Sequence, residues 1–139
     1  MDYEFLEHTA DAKFRAYGKT LEEAFANAVK ATAAIMTDVS KIKHKLDKEI
    51  NISASSKEAL LYDFMDELIF LLDTESFIAA EVKQITITIK NLRFELNAVV
   101  LGDTADSYDV HTYIKAPTYN DMSIKEENGK FTVQMVHDI

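Results

Sequence analysis

The chain has 139 residues, enough for one domain with a substantial core. Its 24 acidic against 15 basic residues give a formal net charge of -9. That argues against strong direct nucleic-acid binding, which runs on phosphate neutralisation by Lys and Arg. Cysteine is absent, which excludes a disulfide framework, a thiol nucleophile and a cysteine-based zinc site.

In chain order, "YEFLEH" reads as a short strand. "DAKFRAYG" alternates, with Ala12, Phe14 and Ala16 on one face and Asp11, Lys13, Arg15 and Tyr17 on the other. Thr20 and Glu23 form a capping-box pattern, and Leu21, Ala24, Phe25, Ala28, Val29, Ile35 and Met36 follow at helical spacing. "KLDKEINISA" alternates again through Ile50, Ile52 and Ala54. Ser55 and Glu58 then make a second capping-box pattern. The helix they open carries Leu61, Phe64, Met65, Leu68 and Leu72 as its central stripe. Four strand-like runs follow: "QITITIK", "LRFELNAVVLG", "TYIKA" and the terminal "KFTVQMVHDI". "NLR" and "ENGK" are the expected tight turns.

Most of these strands have one apolar and one polar face. A sheet covered on both sides would read as continuous apolar runs. The expected fold is therefore α+β and two-layered: a mixed or largely antiparallel sheet with both long helices on one face. The expected organisation is a single domain over 1–139. No run is long enough to cross a membrane and the N-terminus is acidic, so the expected location is the cytoplasm.

Two carboxylates stand out. Asp138 shares strand parity with Gln134 and Thr132, and Asp11 lies on the polar face of its own strand. If those strands are neighbours, Asp11, Asp138 and the carboxylate of Ile139 meet at one edge. Clustered carboxylates repel unless a cation sits between them, and hard oxygen donors suit Ca²⁺ or Mg²⁺. His8 or His137 would add a nitrogen and pull the preference toward Zn²⁺ or Mn²⁺. The competing reading is two unrelated surface aspartates, or one paired with Lys13 or Arg15. No G-x-S-x-G elbow and no H-E-x-x-H occurs, so no nucleophile with its base is recognisable and the protein is not expected to be an enzyme.

The sequence resembles the archease family nearly end to end. The resemblance rests on "EHTAD" at 7–11, "YGKTLEEAF", "EALLYDFMDELIFLLDTE", "KAPTYND" and the closing "HDI". It implies a surface metal site from Asp11, Asp138 and the final carboxylate on Ile139, with His8 as a neighbour. It implies a divalent metal, calcium before magnesium or manganese. It also implies roles for Lys115 and Glu58 at the interface with an RtcB-type RNA ligase. The implied function is to activate that ligase in tRNA splicing by promoting its guanylylation and multiple turnover, without performing the bond-forming chemistry. Two departures stand against the family pattern. Asn120 takes the place of a histidine, and Pro117 interrupts "KA-x-TY".

Two other readings of the residues remain. Asp63, Asp66 and Glu67 form an acidic stripe on the second helix, and no Lys or Arg occurs between Glu58 and Glu81. Such a face suits a chaperone or modulator of RNA-modifying enzymes such as a tRNA methyltransferase. A stand-alone metal-dependent hydrolase built on the same carboxylates is the third reading.

Overall fold

A computed structural model of the chain describes residues 1–7 and 11–139. It has two helices and two antiparallel sheets. The strands are β1 (Tyr3–Leu6), β2 (Asp11–Gly18), β3 (Leu46–Ala54), β4 (Phe77–Lys90), β5 (Arg93–Thr104), β6 (Ala116–Glu127) and β7 (Lys130–Asp138). The helices are α1 (Leu21–Met36) and α2 (Lys57–Glu75). The first sheet has strand order β1-β2-β7-β6 and the second β3-β5-β4, with every pairing antiparallel. The α+β architecture is as expected, but the expected single sheet is divided in two. Alternation reports which face of a strand is apolar. It does not report which distant strand lies beside it.

Local chemistry explains most of the elements. Thr20 caps α1, its hydroxyl accepting from the Glu23 N–H at 3.1 Å. The cap of α2 is Ser56, one residue past the expected Ser55, and its hydroxyl accepts from the Ala59 N–H at 3.0 Å. This leaves Glu58 in the first turn, where its carboxylate favours the helix dipole. Asn91 and Leu92 have φ of 53° and 63°, and Asn128 and Gly129 have 53° and 73°. Both pairs fit the two-residue hairpin turn whose twist matches the flanking strands. Gly18 ends β2 where a Cβ would stand 2.4 Å from the Ala24 backbone nitrogen, so the strand passes directly under the start of α1.

Both helices lie on the inner faces of the sheets, and each touches both sheets. The main core joins Phe14, Phe25, Phe64, Met65, Leu96 and Met135, all fully buried. All five residues of the expected α2 stripe are buried. Each such side chain contributes about 1.5–3 kcal/mol of transfer free energy. A second cluster gathers Met36, Ile42, Ile69, Ile78 and Ile114, and Ile139 packs against it. The segment expected as a strand at "TYIKA" is irregular up to Lys115, because Ile114 turns into that second cluster. The strand begins at Ala116 instead and runs on to Glu127. Among the described residues no helix is long and apolar enough to cross a membrane.

Candidate functional site

The first sheet brings the two singled-out carboxylates together. β2 and β7 pair so that Asp11 lies directly opposite Asp138. On the other side of β7, Asp138 faces Ala116 of β6. Directly opposed residues hold their Cβ atoms about 4.5–5.5 Å apart. Two like charges on one rung repel, and a shared cation removes that cost. The carboxylates therefore bring hard oxygen donors to one rung of the sheet.

The end of β7 is held on three sides. The Lys115 N–H donates to the Asp138 carbonyl at 2.8 Å. The Ile139 side chain anchors in the second apolar cluster. His137, one residue earlier, points the opposite way. Its ring is fully buried and sits 5.3 Å from the Phe14 ring, centroid to centroid. Thr32 donates its hydroxyl proton to the Ala28 carbonyl at 2.8 Å, so its oxygen accepts from His137 Nε2 at 3.0 Å. That bond network assigns the proton to Nε2 and leaves Nδ1 buried without a partner among the described residues. Burial pushes the imidazole down to about 4, which keeps it neutral. His137 is thus a core residue and not the nitrogen ligand weighed from its position in the sequence. Its shared parity with Val133 and Met135 is the signal for that.

The two cations that might have paired with the aspartates go elsewhere. Lys13 Nζ lies 3.5 Å from Asp121 Oδ2, and Arg15 donates through Nε to Gln134 Oε1 at 2.9 Å. Asp121 belongs to an irregularity the alternation did not disclose. Between Thr118 and Ser123 the register of β6 on β7 slips, and Asp121 takes a left-handed φ of 53°. The bulged segment folds across β7. The Gln134 amide donates to the Asp121 carbonyl at 2.7 Å, and the Asp121 side chain reaches Lys13 on β2 beyond it. Val136 has the parity of the polar face yet is fully buried beneath this crossing. Tyr119, in the same bulge, stacks on Tyr62 of α2 with centroids 4.4 Å apart. Its hydroxyl pKa is raised by burial and then by the Asp63 charge. Asn120, in the place of the family histidine, is exposed within this bulge.

Of the remaining expected residues, Lys115 is exposed and adjoins Asp138 through its backbone. Glu58 is half-buried at the start of α2, and among the described residues no hydrogen bond or ion pair joins it to either aspartate. His8 lies outside the described residues. Among the described residues no three His, Asp or Glu side chains converge as a metal cage. The two carboxylates offer hard oxygen donors of the kind a divalent cation takes, at an open end of the sheet rather than in an enclosed cage.

The profile of the Archease protein family matches residues 3–139. Among curated relatives, the protein archease of Methanosarcina barkeri is 37% identical over 139 residues, covering 99% of this chain and 95% of that one. The protein archease of Aeropyrum pernix is 38% identical, covering 96% of this chain and 94% of its own. The solution structure of Methanobacterium thermoautotrophicum protein 1598 superposes with a TM-score of 0.84 at 32% identity, covering 99% of each chain. The Thermotoga maritima crystal structure of an archease, described as a possible chaperone, has a TM-score of 0.64 at 18% identity over 96% of this chain and 94% of that one, and shares the fold. The chain belongs to the archease family.

Proposed function

We propose that this protein activates an RtcB-type RNA ligase in tRNA splicing, by presenting a divalent cation, calcium before magnesium or manganese, on the Asp11–Asp138 rung. The observation that supports this is the opposition of the two aspartates at an open end of the first sheet. Two side chains cannot fill the six to eight oxygen positions calcium takes. The final carboxylate of Ile139 would add a further donor, and the remaining positions are left to water or to a partner. A cation so held supplies positive charge and vacant coordination to a phosphate-bearing partner site. Asp11 and Asp138 hold it. The packing of the partly buried Ile139 and the Lys115–Asp138 backbone bond hold the end of β7, and the β2–β7 pairing sets Asp11 opposite Asp138. Lys115 and the first turn of α2 with Glu58 would meet the ligase. The protein carries out no bond-forming step itself, and it works in the cytoplasm with its partner.

The test is multiple-turnover joining of RNA ends by the ligase from the same source, with and without this protein. Turnover should rise at least tenfold on addition, and Asp11→Ala and Asp138→Ala should each remove the rise while melting like the parent. If both variants activate as well as the parent, the site assignment is wrong.

A second reading has its own observation. Asp63 and Asp66 are exposed along α2, and Phe70 beside them is 55% exposed. An acidic stripe with an exposed aromatic suits a basic protein surface, as a chaperone of an RNA-modifying enzyme such as a tRNA methyltransferase would need. Charge reversal at Asp63, Asp66 and Glu67 would then abolish partner binding, and chelation would act through stability alone.

A further inference from the structure

The outer face of the first sheet has a second feature besides the aspartate rung. Beyond the Lys13–Asp121 crossing, at the opposite end from the aspartate rung, the sheet forms an open hollow of about 680 Å³. Arg15 and Tyr17 of β2, Lys125 of β6, and Lys130, Thr132 and Gln134 of β7 line it. Three of the 15 basic residues of a chain with net charge -9 thus meet on one surface, against the carboxylate of Glu127 in the lining and that of Glu4 beside Arg15 and Tyr17. Register puts these residues side by side: Thr132 is opposite both Tyr17 and Lys125, and Gln134 is opposite Arg15. Neighbouring strands are about 4.8 Å apart, so Tyr17 and Lys125 flank β7 at roughly 10 Å, and Arg15 lies two residues, about 7 Å, further along β2.

The cations are only lightly engaged. Arg15 spends one N–H on Gln134, and its nearest carboxylate, Glu4, stands 4.0 Å away. The Lys130 ammonium lies 4.1 Å from the centre of the Tyr17 ring. Lys125 is exposed, and no hydrogen bond or ion pair engages it among the described residues. A hollow of this composition offers positive charge, donor side chains and one aromatic face. Those are the three elements with which sheet surfaces hold a single-stranded nucleic acid.

We propose that this face binds a single strand of RNA, its phosphates on Arg15, Lys125 and Lys130 and one base against Tyr17. The choice of RNA over other anions rests on the ligase reading given above. The contact itself does not. The net charge argues against strong binding of this kind, but screening limits each charge to about 8 Å, so the local excess of cations governs a strand lying in the hollow. Binding is therefore weak and salt-sensitive. With three phosphates neutralised, log K falls by about 2 per decade of salt.

The experiment is fluorescence anisotropy of a labelled single-stranded oligouridylate with the protein alone, in chelator and without ligase. The expected dissociation constant at about 0.15 M salt, where that screening holds, is on the order of 10⁻⁴ M, at the weak end of non-specific binding. Lys125→Glu, on an exposed side chain with no partner to lose, should weaken it at least fivefold, and Arg15→Gln with Lys125→Glu more than tenfold. Asp138→Ala should leave it unchanged. Absence of saturable binding, or binding indifferent to these substitutions, overturns the proposal. So does tighter binding of a polyglutamate peptide than of the RNA, which would make the hollow a protein-docking site. Because the ligase is absent, failure here leaves ligase activation standing, and failure of activation leaves RNA binding to be judged by this measurement.

Discussion

The two sheets are built from similar strands and behave differently. The second, β3-β5-β4, keeps the rule of alternation on the turn side of the two register shifts in β4: Ile50, Leu96 and Ala98 face the helices, and Asn51, Asn97 and Thr86 share one rung of the outer face, whereas beyond the shifts Phe77, Ile78, Ala79 and Ala80 are buried in succession. The first breaks the rule repeatedly along one strand. β7 buries Val136 on its outer side and His137 on its inner side, and sets Asp138 against Asp11. A residue that violates its local pattern costs stability unless something compensates, so such residues mark where selection acts on more than folding. In the first sheet the violations cluster at the aspartate rung and at the bulge above it.

This contrast can be tested by stability measurements, the largest effect first. His137 is neutral in the fold down to about pH 4, whereas an unfolded chain protonates it near 6.5. The unfolded state therefore binds the proton first as pH falls. The His137 contribution is fully present above pH 6.5 and is lost between 6.5 and 4, amounting to about 3 kcal/mol. Urea unfolding in chelator should show this slope, and His137→Leu should flatten it. A slope that survives the substitution would mean that other groups carry it.

Next comes the rung itself. In metal-free protein Asp138→Asn removes one of the two facing charges and should leave stability within about 1 kcal/mol of the parent. Added calcium should raise the melting temperature of the parent and not of the variant. A destabilised, calcium-responsive variant would mean the two carboxylates are not a shared site. The smallest effect belongs to the second sheet. Thr86→Ala, on its regular outer face, should change stability by less than about 0.5 kcal/mol, with or without the ion. A larger loss would erase the distinction between the sheets.

Periodicity made the helices legible. Thr20 announces α1, and the stripe from Leu61 to Leu72 lands in the core because a 3.6-residue repeat depends on the segment alone. The polar faces of β2 and β7 were readable in the same way. Their register was not, since the opposition of residues 11 and 138 is fixed by pairing across the whole chain. β6 was read too early: the run "TYIKA" meets it only at Ala116. Pro117 and the bulge at 119–122 interrupt its alternation, and these interruptions carry Tyr119 to α2 and Asp121 to Lys13. The cationic hollow was hidden by the overall acidity: Arg15, Lys125 and Lys130 lie far apart in sequence and meet through the sheet alone.

The way the sheets end bears on solubility. An unpaired strand edge invites a second chain to add on. Here β1, at one edge of the first sheet, has four residues, and β6 at the other carries Pro117 and the bulge. In the second sheet, β4 is broken by register shifts near Ala80 and Lys83, and β3 alternates charged residues through Asp47, Lys48 and Glu49. All four edges are thus poor templates for strand addition. A protein that met partners by the faces of its sheets, as proposed above, would gain from that, because it would not join them into a continuous sheet. Pro117→Val restores a donor to one edge and should promote concentration-dependent association in light scattering. An unchanged scattering profile would assign the protection of that edge to the bulge.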